Sequence, residues 1–298
     1  MAQTTKKFWV TIVADGDGVD YSSIINKYKS LGLHISLITL KENGGPGVAR
    51  QAAIDADTNN MFDYVTFLDS DDMFYPRAVE VLYHEAKSNL ADLVFSDFVI
   101  EREHKPPVFI KSDTIPCQWL HGKAYRVQYL KDIGLRFPDL RTDEDSYFNL
   151  VAHNCTRKKF YVKEDTYLWR DNKNSITRSE EDQEFFKKDY INYVWTQKHG
   201  LMDIVKIRKE MTPWLCAVTL IHMYDTLMRA RHFKLDVDEV ENDLWELWQI
   251  PELSKCADDI KFWETIQKHL KACNMVGEDF YFYQIRFIDW FNQIIRRV

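Results

Sequence analysis

Apolar and polar positions follow two different periods along the first hundred residues of the chain. Short apolar runs rich in β-branched and aromatic residues predict buried strands, and apolar residues three or four positions apart predict helices. The predicted strands are Phe8–Ala14, Ile35–Leu40, Val65–Leu68 and Asp92–Val99. The predicted helices are Tyr21–Leu31, Val48–Ala56 and Pro76–Ser88. This alternation predicts an α/β fold with a mostly parallel sheet flanked by helices.

The remaining two hundred residues divide into two regions of different character. Residues 100–178 show no regular period, whereas apolar residues recur at helical spacing from Ser179 onward. The predicted helices of this second region are Glu181–Lys198, Met202–His232, Asp236–Trp248 and Lys261–Ala272. We therefore predict two domains, an α/β domain over residues 1–178 and a helical C-terminal domain over residues 179–298.

Composition and charge place the chain among ordinary globular proteins. It has 298 residues, of which 45% are hydrophobic and 29% charged, and its net charge of −7 argues against broad binding to polyanions. Its five cysteines form no CxxC pair, which is typical of a reducing compartment. The sequence shows no signal-peptide pattern and no apolar run near the ~18 residues of a membrane span. We therefore expect a cytoplasmic protein without an integral membrane segment.

Three aspartates cluster where a predicted strand ends, in the segment DYVTFLDSDDMFYP at residues 63–76. Asp69, Asp71 and Asp72 follow an apolar run directly, and ligands of open α/β sheets bind beyond the carboxyl ends of strands. Carboxylates this close together repel one another unless a cation is present. Mg²⁺ and Mn²⁺ prefer such oxygen ligands, so the cluster indicates a metal site. The alternative is a solvated turn whose last carboxylate stabilises the next helix.

Two further polar segments are candidates for chemistry. Glu144 and Asp145 precede a helical apolar pattern and provide either a general base or ordinary acidic residues of a first helical turn. The turn at Asn43–Gly47 is followed by Arg50 and forms either an approach to a nucleotide or a plain helix entry. Walker, GxGxxG, GxSxG and HExxH motifs are absent from the sequence.

Taken in order, these segments resemble those of the family 2 glycosyltransferases, which have the GT-A fold, over roughly residues 8–178. The matching segments are Phe8–Asp17 ("VVDDGS" in the family), Glu42–Gly45 with Ala49–Ala52 ("NxGxxxARN"), FLDSDD at 67–72, Leu120–Arg126 with Leu135–Pro138 ("HGKLYR…IRFPE"), Glu144-Asp145 ("ED") and Trp169–Thr177 ("YR…SIT"). Two features differ from the family. Ala14 replaces the first aspartate of "DDGS", and the family's first strand–helix unit is missing or replaced in this register.

The resemblance implies a role for each matching residue. Asp71 would bind Mn²⁺ or Mg²⁺ directly, and Asp69 would contact the ribose or the metal shell. Asp145 would deprotonate the acceptor hydroxyl for in-line attack on the anomeric carbon of the donor sugar. The residues implied in donor or nucleotide binding are Asp15, Asn43, Arg50, Asp69, Lys123 and Arg170. The candidates for sugar or acceptor binding are Glu144, His121 and Trp119.

The function implied by the resemblance is metal-dependent, inverting transfer of a sugar from a nucleotide-sugar, a UDP-sugar by family frequency, to an acceptor hydroxyl. The acceptor could be a glycan, a protein, a lipid or a modified nucleobase, and the C-terminal helices are candidates for acceptor binding or oligomerisation. Two alternatives stay open, namely a catalytically inactive GT-A-like binding module and a nucleotidyltransferase. A nucleotidyltransferase would ordinarily carry a basic, glycine-rich loop where this chain has Asp15-Gly16-Asp17.

Overall fold

The computed structural model describes residues 2–102, 108–112, 119–170, 172, 182–273 and 287–293. The chain forms two compact units, Met1–Ser179 and Glu180–Val298. Part of one predicted motif, Ser175–Thr177, lies outside the described residues.

The first unit begins with a parallel pair of strands joined by a helix. Strands β1 (Val10–Asp15) and β2 (Ile35–Leu40) pair from Val10↔Ile35 to Asp15↔Leu40, and α1 (Ser22–Ser30) connects them. Helix α2 (Gly45–Asp55) follows, which confirms the four elements predicted here. The helix begins three residues earlier than predicted because Pro46, with its fixed φ, is well suited to a first helical turn.

A six-stranded sheet forms the rest of the α/β layer, in the order β3-β7-β5-β8-β4 with β6 beside β5. Its strands are β3 (Tyr64–Val65), β4 (Met73–Phe74), β5 (Leu93–Arg102), β6 (Val108–Ser112), β7 (Lys123–Arg126) and β8 (Lys159–Trp169). Among the described strands of this sheet, β5 and β8 alone pair in parallel, so the predicted α/β class is confirmed with a mixed rather than mostly parallel sheet.

Within the described residues, β1 pairs with β2 alone and β3 with β7 alone, so no strand ladder joins the two sheets. Whether the family's first strand–helix unit is missing or replaced stays a prediction. Strand β3 ends at Val65, earlier than predicted. Packing rather than strand pairing then positions residues 69–72, the acidic loop, because Phe67 is buried against the rings of Tyr125, Phe137 and Phe148.

Three helices complete the described part of the first unit: α3 (Ala78–Ser88), α4 (Val127–Asp132) and α5 (Glu144–Asn154). Leu82 and Ala86 of α3 pack on Val94 and Ala124 of the sheet. The prediction that residues 100–178 are less regular was wrong, because the described part of this region contains three strands and two helices. The first half of β8 is largely exposed, and the charged residues Lys163, Glu164 and Asp165 interrupt the apolar residues of the strand.

The second unit is helical, as predicted. Its elements are α6 (Asp182–Arg208), α7 (Pro213–His232), α8 (Asp238–Trp248), α9 (Pro251–Ser254), a 3₁₀ turn (Lys255–Asp258), α10 (Ile260–Cys273) and a helical stretch at 287–293. The predicted break after Lys198 does not occur, and α7 instead begins where the Thr212 hydroxyl accepts a hydrogen bond from the Leu215 N–H. None of the helices described here is both long and apolar enough to cross a bilayer.

Candidate active site

Asp15, at the end of β1, fixes the turn between β2 and α2. Its carboxylate accepts hydrogen bonds from the backbone N–H groups of Gly44 (2.9 Å) and Gly45 (2.8 Å). The Asn43 side chain donates to the Asp15 carbonyl at 3.1 Å. The structure therefore brings the predicted residues Asp15 and Asn43 together at the carboxyl end of β1. We refer to this arrangement of residues 15, 43, 44 and 45 as the Asp15 clasp.

The clasp depends on a glycine beside Asp15. Gly16 has a φ of +66°, and a Cβ at this position would lie 2.3 Å from the backbone nitrogen of Asn43. Real Cβ atoms do not approach backbone atoms this closely, so a side chain here would force the two segments apart.

Arg50 of α2 joins the two predicted acidic clusters. Its guanidinium donates to Asp69 Oδ1 at 2.6 Å and to Glu144 Oε1 at 2.5 Å, and its side chain is only 15% exposed. Burial acts to lower the pKa of Arg50, but the charges of Asp69 and Glu144 outweigh it and raise this pKa. A permanently charged guanidinium thus lies between the loop after β3 and the first turn of α5.

The first turn of α5 carries two adjacent carboxylates with raised pKa values. Burial, assisted by the charge of Asp145, raises the pKa of Glu144 to about 7 against the opposing effect of Arg50. Burial likewise raises the pKa of Asp145, and the positive charge of Arg50 partly offsets this. Asp145 also accepts a hydrogen bond from the Ser146 N–H at 2.7 Å. A carboxylate whose pKa approaches the working pH is suited to general base catalysis.

The three aspartates of the acidic loop, residues 69–72, have different partners. Asp69 binds Arg50, and Asp71 accepts a hydrogen bond from the Asn172 side chain at 2.8 Å. Asp72 accepts from the Tyr167 hydroxyl at 2.6 Å and from the Arg170 N–H at 2.8 Å. Burial raises the pKa of Asp72 to about 6, against these two hydrogen bonds.

Asp69, Asp72 and His121 each offer a possible metal ligand, and these atoms lie within 4.8 Å of one another. Burial lowers the pKa of His121 to about 3, so its imidazole is neutral. His121 Nδ1 is buried and has no hydrogen-bond partner within the described residues. Carboxylate oxygens with a neutral imidazole suit a divalent cation such as Mn²⁺, so these residues fit the predicted metal. The group contains Asp69 of the predicted pair Asp69 and Asp71, together with Asp72 and His121.

Lys123 lies beneath the site rather than at its surface. It is 1% exposed, and its ammonium donates to the backbone carbonyl of Trp119. Asn149 Nδ2 donates to the same carbonyl at 2.8 Å and to the Asp145 carbonyl at 3.0 Å. Burial raises the pKa of Asp145, and the charge of Lys123 offsets a small part of this rise. Arg170 is exposed, and its guanidinium lies 3.6 Å from Glu101.

Three residues of the site were missed from the sequence. Tyr167 lies in the region interpreted as irregular and carried no signal. Asn172 follows Arg170 by two positions within a matching segment, and the structure shows its bond to Asp71. Asn149 follows Asp145 by one helical turn, so the i,i+4 spacing of α5 could have indicated it.

Comparison with known proteins identifies the family of this chain. Residues 1–165, more than half of the chain, match the sequence model of Glycosyl transferase family 2. The chain belongs to this family. The predicted family is therefore confirmed, and the predicted enzyme class is confirmed at the level of the family.

Two curated relatives show how far the similarity extends. The glycosyltransferase GlyA of Streptococcus pneumoniae is 27% identical over 238 residues, which cover 70% of this chain and 31% of GlyA. The poly(ribitol-phosphate) β-N-acetylglucosaminyltransferase TarP of Staphylococcus aureus is 35% identical over 86 residues, 28% of this chain and 24% of TarP. The chain thus corresponds to less than half of either relative.

A solved structure shows the same fold. Residues 1–349 of S. aureus TarS, in complex with UDP-GlcNAc, superpose with a TM-score of 0.63 over 91% of this chain and 85% of that one. The sequences are 17% identical, so the likeness establishes the GT-A fold of TarS in this chain and nothing finer.

Proposed function

We propose that this family member is a metal-dependent, inverting glycosyltransferase that moves a sugar from a UDP-sugar to an acceptor hydroxyl. The observation that carries the proposal is the Arg50 guanidinium, which binds Asp69 and Glu144 at once. This contact unites the carboxylates expected at the donor with those expected at the acceptor. The UDP-GlcNAc complex of TarS supports UDP-GlcNAc as the first donor to test.

In this proposal Asp145 accepts the proton of the acceptor hydroxyl. The hydroxyl oxygen bonds to the anomeric carbon as the bond from that carbon to the phosphate oxygen breaks, and UDP leaves with the electron pair. A single displacement from the opposite face inverts the anomeric centre. Glu144 is held by Arg50 and Asp145 is not, which supports Asp145 as the base.

The donor is bound by the chain on two sides. The Asp15 clasp shapes the nucleotide end, and the acidic loop with His121 supplies the ligands for Mn²⁺ or Mg²⁺. Such an ion, when bound, supplies positive charge to the diphosphate that leaves. Lys123 adds buried positive charge near the base. Asp71, Arg170 and Trp119 keep their proposed roles at the metal, donor and sugar.

Thermal shift measurements with UDP, UDP-GlcNAc and other nucleotides, in Mn²⁺ or EDTA, test the donor. A ligand of the folded state at 100 times its Kd adds about 2.7 kcal/mol to the free energy of unfolding. We expect a Mn²⁺-dependent shift with UDP, and enzymatic release of UDP from the UDP-sugar. Release of pyrophosphate, or no shift with any nucleotide, would contradict the proposal.

Asp145→Asn tests the base. We expect the transfer rate to fall about 10²–10⁴-fold because the amide cannot accept the proton. The affinity for UDP and Mn²⁺, measured by calorimetry, should stay within about twofold of the original protein, since the amide has the shape of the carboxylate and Asp145 is not a proposed ligand of the donor or the metal. Asp139→Asn, at an exposed aspartate of the preceding loop, is the matched control. Normal transfer by Asp145→Asn would show that another residue is the base.

A further inference from the structure

We propose that Trp119 and Trp169 form the acceptor subsite, and that this subsite takes the apolar face of a neutral hexopyranoside. The acceptor would then be a glycan or another molecule that presents such a sugar ring. The inference rests on the proposed function, because it names the acceptor side of the same site.

The two indoles contact each other beside His121, whose ring centroid lies 6.3 Å from that of Trp119 and 5.0 Å from that of Trp169. Their ring centroids lie 5.6 Å apart at 49°, and both side chains are half-buried, so part of each ring surface is open to solvent. Trp169 ends β8, and the next N–H along the chain binds Asp72. Trp119 is tied to Asp145 through Asn149, which donates to both backbone carbonyls. The pair therefore extends from one side of the site to the other.

The backbone of Trp119 is held in a conformation that residues other than glycine rarely adopt. Its φ is +36°, and its carbonyl accepts from both Lys123 and Asn149, which are fully buried. His121 stacks parallel to the indole at 6.3 Å, and Phe98 meets it edge-on at 5.8 Å. Strain that its surroundings fix so firmly occurs mainly at functional sites. This support gives the Trp119 ring a fixed orientation.

The chemistry of the site selects the class of acceptor. One face of a pyranose ring exposes mainly C–H groups, which pack well on the electron-rich face of an indole. The carboxylates of the site outnumber its cations Arg50, Lys123 and Arg170; they belong to Asp69, Asp71, Asp72, Glu144 and Asp145. In our proposal the divalent ion faces the diphosphate of the donor, whose negative charge offsets it. Their net negative charge disfavours an anionic acceptor such as a polyol phosphate. The aromatic pair and the charge therefore both favour a neutral sugar ring.

The acceptor is tested with the full chain, UDP-GlcNAc and Mn²⁺, by measuring UDP release alone and with added acceptors. The neutral probes are p-nitrophenyl α- and β-hexopyranosides, and the anionic probe is ribitol 5-phosphate. We expect at least one pyranoside to raise UDP release tenfold or more, and ribitol 5-phosphate to leave it unchanged. Stimulation by ribitol 5-phosphate alone, or by no probe, would overturn the subsite. Failure to bind UDP at all would instead overturn the proposed function, and the inference with it.

Variants then assign the effect to the two indoles. Trp119→Ala and Trp169→Ala should each raise the KM for the pyranoside at least tenfold. Trp119→Phe and Trp169→Phe should restore most of the affinity, and they keep the test valid if an alanine variant fails to fold. Trp214→Ala, at an exposed tryptophan of the second unit, should match the original protein. An unchanged KM in folded Trp119→Ala and Trp169→Ala would overturn the assignment.

Discussion

At the scale of single residues, Arg50 carries the charge balance of the site. Its positive charge reduces the electrostatic repulsion among the carboxylates of Asp69, Glu144 and Asp145. Arginine suits the position because its planar group offers several donors in fixed directions and stays charged when buried. A lysine could supply the charge but could not bind Asp69 and Glu144 in the same geometry.

Arg50→Met should therefore destabilise the fold strongly. Removing one partner of a buried ionic network leaves uncompensated charges, which costs about 3–5 kcal/mol. Arg136→Met is the control, because Arg136 and Asp55 form a comparable pair at 2.6 Å whose side chains are 61% and 48% exposed. An exposed pair contributes only about 0–1 kcal/mol. Urea unfolding at neutral pH measures the free energy of unfolding of both variants. Equal losses of this free energy would show that Arg50 acts as an ordinary surface residue.

The raised pKa values of the two acidic neighbours predict how activity depends on pH. Burial raises the pKa of Glu144 to about 7 and raises that of Asp145, so protons bind this pair at a higher pH than they bind exposed carboxylates. Since only the deprotonated base accepts a proton, kcat/KM should begin to fall at a higher pH than the ~4 of an ordinary carboxylate as the pH is lowered.

Glu144→Gln separates the two residues of this pair. The substitution removes a neighbouring negative charge, which lowers the pKa of Asp145, so the fall in kcat/KM should move to lower pH. Glu101→Gln provides a control outside the pair. A pH profile of Glu144→Gln that coincides with that of the original protein would contradict the coupling.

At the scale of elements, the sequence predicts well where periodicity and turn chemistry agree. Strand β2 is predicted with its observed ends because a short apolar run lies between clear turns. Strand β8 is not predicted because Lys163, Glu164 and Asp165 interrupt its apolar residues. The strand forms nevertheless, because its backbone pairs with that of β5. Pairing of this kind depends on residues distant in the chain, which no local pattern records.

The same limit applies to the site. The acidic loop and the Glu144-Asp145 pair are evident in the sequence as local clusters. The ion pairs that connect both clusters to Arg50 are not evident in the sequence, because they require α2 and α5 to pack together. The burial of Lys123 follows from its place in β7, and it could not be predicted while the region was interpreted as irregular.

The joint between β1 and α2 offers a test at this scale. Gly16→Ala should destabilise the Asp15 clasp, because the new methyl group would lie 2.3 Å from the Asn43 nitrogen. Gly18→Ala is a matched control, since Gly18 has a similar φ of +70° and nothing within 4 Å of the added Cβ. The positive φ costs both variants about 1 kcal/mol, and the collision should add about 1–3 kcal/mol to Gly16→Ala. Equal unfolding midpoints and equal UDP affinities would mean that the clasp tolerates movement.

At the scale of the whole molecule, each compact unit has a hydrophobic core of its own. The first unit is built around its sheet, with Phe98, Tyr125 and Phe148 almost fully buried. The second buries Tyr224, Phe262 and Phe287 among its helices. All predicted site residues belong to the first unit.

This organisation predicts how the donor changes thermal unfolding. A chain with two separate cores need not unfold in one step, so differential scanning calorimetry should show two transitions. UDP with Mn²⁺ binds the folded first unit in our proposal, and it should raise the midpoint of one transition by an amount that grows with ligand concentration. The other midpoint should stay constant.

The site variant Asp71→Ala should abolish the Mn²⁺-dependent part of the shift, and Asp132→Ala, on the exposed end of α4, should retain it. A single transition that moves as a whole with UDP would show instead that the two cores unfold cooperatively, and the second unit would then stabilise the site through its own folding.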